Sequence, residues 1–228
     1  MARVVQTEKV KKGKKNKILI IVGIILVLVV ASLLLYKFFF KKGESRTRIE
    51  VKVLDSMEEY GYSLSDNDSK FYKQEYDTLK SILKDNQVDQ SKYVEQVAKM
   101  FVIDLYTIKT KINKYDIGGS DYYYRDKKGM YEQKVIDTLY STLLDNTYGD
   151  RVQELPQVKS IEVISNEGII YKLGNKNSEC YQIKLKWTYE KDLGYDDKGS
   201  LVVCEENGNR WSVVDFQPTL SPKYEKNS

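Results

Sequence analysis

Asp104 is the carboxylate of this chain best placed to do chemistry. It stands between Ile103 and Leu105, in a segment whose apolar residues recur at three- and four-residue steps. A carboxylate isolated on an apolar helix face acquires a raised pKa by desolvation and can serve as a general acid or base. The commoner role of such an aspartate is to sit at the edge of the buried stripe and face water. Nothing else supports catalysis. The chain has no histidine, hence no imidazole base and no histidine-ligated metal. No nucleophile–base pairing, phosphate-cradling glycine loop or metal-ligand spacing occurs. No catalytic residue, cofactor or metal is expected.

Contact chemistry is better represented. Tyr122, Tyr123 and Tyr124 follow Gly118-Gly119, and an aromatic cluster in a loop is the composition enriched at protein interfaces. Packing of one or two of these rings into the core is the competing expectation. Cys180 and Cys204 are the only cysteines, too few for a zinc site or a disulfide framework. They pair only if their strands are neighbours in register, and two separate half-buried thiols are expected.

The elements that position these residues begin with an apolar run from Ile18 to Leu35, free of charge and proline. Eighteen helical residues rise about 27 Å, near the roughly 30 Å of a bilayer's hydrocarbon core. Seven basic residues precede the run and five follow it, which favours a cytoplasmic N-terminus and a domain outside. A cleavable signal peptide, cut near Val30-Ala31-Ser32, is the alternative. Leu33–Leu35 and Phe38–Phe40 prolong the apolar region past that point and favour an uncleaved anchor. The expected organisation is a basic tail at 1–17, an anchor at 18–40, a linker at 41–48, an α+β domain at 49–218 and a polar tail at 219–228. The net charge of +4 does not point to nucleic acid. The tail to Lys17 alone carries +6, and the residues beyond Lys42 are net acidic. The expected partners are the lipid bilayer, through Ile18–Leu35, and a protein or a second copy.

Within the domain, Ser69 or Asp68 caps a helix carrying Tyr72, Tyr76, Leu79 and Leu83 on one face. Asp89 or Ser91 caps a second, with Val94, Val97, Ala98, Phe101, Leu105 and Ile108 in its stripe. Asp116-Ile117-Gly118-Gly119 reads as a turn in which glycine supplies positive φ. A third helix is predicted from Met130 to Leu144. Strands follow at 158–164, 169–173, 181–189, 201–204 and 211–216, separated by polar glycine turns. A weaker alternation at Ile49, Val51 and Val53 signals a further strand or a continuation of the stalk. Helices first and meander second describe an α+β domain, three helices packed on a curved antiparallel sheet.

That order, together with the closing Asn207-Gly208-Asn209-Arg210-Trp211-Ser212-Val213-Val214-Asp215-Phe216, resembles the nuclear transport factor 2-like superfamily, a cone-shaped fold. A short tail, one span and an outer domain of this kind is also similar in layout to assembly subunits of type IV secretion and conjugation machines. The resemblance implies a membrane-anchored interaction or scaffold domain of a bacterial cell envelope. It implies, as alternatives, a conjugation-machine subunit, or a small-molecule or isomerase-like pocket inside the cone at Asp104, Tyr106, Trp187 and Tyr189.

Overall fold

The structure is a computed structural model describing residues 12–39, 47–206 and 208–219; within its first helix, side chains are described for residues 20–33, 35 and 36. Much of the basic tail, the last residue of the expected anchor, most of the expected linker (41–46) and the C-terminal tail from 220 lie outside the described residues. The chain divides into two units, Met1–Thr47 and Arg48–Ser228.

The first unit contains one helix, α1 (Lys12–Phe39). Ile20–Leu33 is its contiguous stretch of described side chains, all of them exposed. That stretch rises about 20 Å. Among the described residues, no helix is long and apolar enough to cross a membrane.

The second unit is α+β. A two-stranded hairpin, β1 (Val53–Met57) and β2 (Tyr62–Ser65), leads into α2 (Lys70–Leu83) and α3 (Gln90–Tyr106). Irregular turns and α4 (Lys128–Asp137) precede a four-stranded antiparallel meander. Its strands are β3 (Val158–Leu173), β4 (Lys176–Tyr189), β5 (Lys198–Glu206) and β6 (Arg210–Thr219), in that order across the sheet.

Local chemistry accounts for the helix starts. The Ser69 hydroxyl accepts the Tyr72 N–H at 3.1 Å, and Asp89 accepts the Lys92 N–H at 3.2 Å. Each satisfies a donor that the first turn leaves open. α2 buries Tyr72, Tyr76 and Leu79 along one face. α3 is buried nearly all round, because α2 covers one side and all four strands of the meander contact it elsewhere. Ile183, Leu185 and Trp187, alternating on β4, form the inner face of the sheet beneath it.

Two departures from expectation have a visible local cause. The third helix stops at Asp137 and not at Leu144, because Thr138 leaves helical geometry (φ −120°, ψ −88°) and its hydroxyl bonds back to the Lys134 carbonyl at 2.6 Å. Tyr140 and Leu143 still reach the core, from a turn. The separate strands expected at 158–164 and 169–173 are one strand, β3. Asn166-Glu167-Gly168, expected to be a turn, runs in register opposite Ile183-Gln182-Tyr181. A register shift between Val163 and Ser165 changes which residues face the helices, and this breaks the alternation that a single strand would show.

The two edges of the meander are finished differently. β6 is met by the Tyr123–Tyr124 segment, through a parallel bridge from Tyr123 to Val213 and a Tyr124 N–H donated to the Val213 carbonyl at 2.9 Å. β3 has no described strand on its outer side and carries two register shifts.

The cysteines are not independent thiols. Cys180 and Cys204 stand opposite each other on β4 and β5 with Cα atoms 4.4 Å apart, and they form a disulfide. That separation belongs to the close, non-hydrogen-bonded pairs of an antiparallel ladder. The bridge is buried with Val202 and Val214 in a small apolar cluster separate from the main core. Closing a loop of 24 residues restricts the unfolded chain, so replacing both cysteines with alanine should lower the unfolding free energy by about 2–4 kcal/mol. Urea unfolding of the oxidised protein and of the variant checks this.

Candidate functional site

Asp104 and Tyr106 lie two residues apart on α3, hence about 200° apart around the helix. They therefore open into different clefts. Asp104 faces a polar one of about 350 Å³, shared with Ser63, Ser65, Asp68, Lys111 and Asp116. The expected isolated carboxylate is instead paired. Its Oδ1 accepts the Lys111 ammonium at 2.5 Å and its Oδ2 accepts the Gly119 N–H at 2.6 Å. The Lys111 side chain is 7% exposed and that of Asp104 14%. Burial alone would lower the Lys111 pKa. The charges of Asp104 and its neighbours and the Asp104 hydrogen bond outweigh this, holding Lys111 above the ordinary lysine range. The sequence signal that was missed is Lys111 itself, seven residues downstream and brought back by the turn at Ile108–Thr110.

The same cleft contains Asp68, whose pKa is pushed up to about 6, first by burial and then by the charge of Asp104. The Ser65 N–H, donated to it at 2.6 Å, and the charge of Lys111 oppose the shift. The folded state therefore holds this proton at pH values where the unfolded chain, near 3.8, has lost it. Stability should fall as pH rises from about 4 to about 6 and level off above, by on the order of 2 kcal/mol. Asp68→Asn should remove that part of the pH dependence. Urea midpoints of both proteins between pH 4 and pH 8 measure it.

Tyr106, Trp187 and Tyr189 form a different assembly. Tyr106 and Trp187 rings are 5.2 Å apart. The Tyr106 hydroxyl donates to Asp196 Oδ2 at 2.8 Å, the Trp187 indole N–H donates to the Tyr189 hydroxyl at 2.8 Å, and Tyr189 donates to the Asp196 carbonyl. These bonds fasten the loop after β4 to the sheet. Burial, and after it chiefly the charge of Asp196, raises the Tyr106 pKa; burial dominates at Tyr189. Both phenols stay neutral. The four residues expected in one pocket are thus divided: Asp104 lines the polar cleft, Tyr106 lines a second one, and Trp187 is 1% exposed in the core.

The second cleft measures about 450 Å³ and is mostly apolar. Its walls are Leu105 and Tyr106 from α3, Tyr131, Val135 and Leu139 from α4 and the turn after it, and Phe216 from β6. Lys127 and Lys134 enter from the α4 side, Asp196 and Asp215 from the sheet side. Val135, Leu139 and Phe216 were each legible as apolar positions. That they meet is a tertiary fact with no local signal.

The tyrosine cluster requires a correction. Tyr122 is 0% exposed and its hydroxyl shares a 2.8 Å hydrogen bond with that of Tyr72. Its ring stacks on Tyr62 at 4.9 Å. Tyr122 is core, because the turn at Gly119 (φ 79°) directs it inward. Tyr123 is half-buried and stacks on Tyr131 at 4.3 Å, and Tyr124 is half-buried beside the disulfide cluster.

Among the described residues, no group of three or more His, Cys, Asp or Glu is placed to hold a metal ion. No protein-family model, no curated protein and no solved structure matches the chain.

Proposed function

We propose that this chain is a single-pass membrane protein with a cytoplasmic N-terminus, whose α+β domain lies outside and serves as a non-catalytic interaction or scaffold module of a bacterial cell envelope. The observation that carries the reading is the Cys180–Cys204 bridge. Disulfides form and persist in oxidising compartments and are rare in the cytosol. The apolar run at Ile18–Leu35 and the seven-to-five excess of basic residues before it support the same placement. The helices-then-meander order, with α3 laid across the sheet, supports kinship with the nuclear transport factor 2-like fold. A ligand-binding reading is favoured by one observation, the apolar cleft between α3, α4 and β6.

The placement is tested by adding protease to intact cells stripped of their wall. The domain should be digested from outside, and the two cysteines should resist alkylation until a reductant is added. A domain protected until lysis, with freely alkylated cysteines, overturns the proposal.

A further inference from the structure

The cleft between α3, α4 and β6 holds charges of both signs above an apolar floor. Lys127, at the start of α4, and Lys134, in its last turn, both line this cleft. Among the described residues neither ammonium makes an ion pair within 4 Å, and neither Asp196 nor Asp215 is paired with a cation. Asp196 accepts the Tyr106 hydroxyl and Asp215 accepts the Gln217 side-chain amide at 3.1 Å. Both bonds are to neutral donors, so neither carboxylate has a cation in direct contact.

We infer that this cleft binds a short apolar peptide with free termini, of the size of a dipeptide. A volume of about 450 Å³ lies at the small end of ligand sites and suits an occupant of that size. Tyr106, Tyr131, Val135, Leu139 and Phe216 bury its side chains. The lysines take the terminal carboxylate, and Asp196 and Asp215 take the terminal ammonium. A purely anionic amphiphile would be attracted by the lysines and repelled by the two carboxylates; a cationic one meets the reverse. Only an occupant with both charges satisfies all four groups. Neither the membrane anchor nor its orientation enters the argument, so this inference and the proposed function stand or fall separately.

The test is calorimetric titration of the full-length protein in lipid nanodiscs with leucyl-phenylalanine, its N-acetyl derivative and its C-terminal amide. The uncapped dipeptide should bind, and each cap should weaken binding about tenfold or more, since each removes a charged hydrogen-bonding group. Lys134→Gln should shrink the penalty for amidation and keep that for acetylation; Asp215→Asn should do the opposite. Both residues lie outside the buried core, and unchanged urea midpoints would show that the variants fold. No heat from the uncapped dipeptide at about 1 mM, or equal binding of capped and uncapped forms, overturns the inference. Tighter binding of dodecanoate or phenethylamine than of the dipeptide overturns it too, because either result makes one pair of charges irrelevant.

Discussion

Lys111→Met should cost about 3–5 kcal/mol of unfolding free energy. The substitution keeps most of the side chain's length and removes the cation that pairs with Asp104. Asp104 would keep the Gly119 N–H at 2.6 Å and little else, with its side chain only 14% exposed. An unpaired buried carboxylate is costlier than a missing pair. The double variant Lys111→Met, Asp104→Leu should therefore recover much of the loss, and urea unfolding of the two singles and the double isolates the coupling. The sign with pH follows from the raised Lys111 pKa. Its stabilising contribution is complete below the unfolded lysine value and is lost only as pH climbs through the higher folded value. The pair is thus intact throughout the neutral range, and a loss of stability in the variant at pH 7 reports the pair itself.

Gly118→Ala should be at least as damaging, above about 4 kcal/mol. A Cβ at position 118 would stand 2.1 Å from the Asp104 carbonyl oxygen, 2.5 Å from its carbonyl carbon and 2.9 Å from the Leu105 Cα. All three are backbone atoms of α3, which the sheet and α2 hold from both sides. Gly118 cannot retreat either, since its carbonyl accepts the Tyr131 hydroxyl at 2.5 Å. The natural control is Gly129 on α4, where a Cβ meets nothing within 4 Å. Gly129→Ala should stabilise by about 0.5–1 kcal/mol. Thermal unfolding of the two variants side by side should therefore move in opposite directions.

These two sites also show what the sequence could and could not convey. The caps at Ser69 and Asp89 and the stripes of α2 and α3 were legible, because capping and periodicity act within a few residues. Alternation on β4 was equally plain: Ile183, Leu185 and Trp187 are all buried. The continuity of β3 was not, since its bulge breaks the period and Asn166-Glu167-Gly168 has the composition of a turn. The first hairpin is legible only in part: the alternation at Ile49, Val51 and Val53 reaches just the first residue of β1, and with Val53 and Leu54 exposed nothing apolar marks the rest of that strand. The disulfide depends on one matter of register, Cys180 against Cys204, which spacing does not encode. The turn at Asp116–Gly119 has the positive-φ glycine that its composition suggests, and it is Gly119, at 79°. Gly118 is required for a different cause, the nearness of α3, and only the packed structure reveals that.

The least legible part was the site. Asp104 and Tyr106 are sequence neighbours of like appeal, and helical geometry sends them to opposite sides of α3. Lys111, the residue that decides the chemistry of Asp104, reads in the sequence as one more surface lysine. Lys127 and Lys134 are equally anonymous until α4 brings them over the apolar cleft.

The borders of the meander limit how copies of this domain can join. Along β6, tyrosine main chain already occupies a place that an incoming strand would need. Along the first half of β3, two register shifts interrupt the straight row of donors and acceptors on which a foreign strand would zip. Growth of one continuous sheet from molecule to molecule is therefore disfavoured at both ends. Any contact between copies would then rest on side chains and leave each sheet whole.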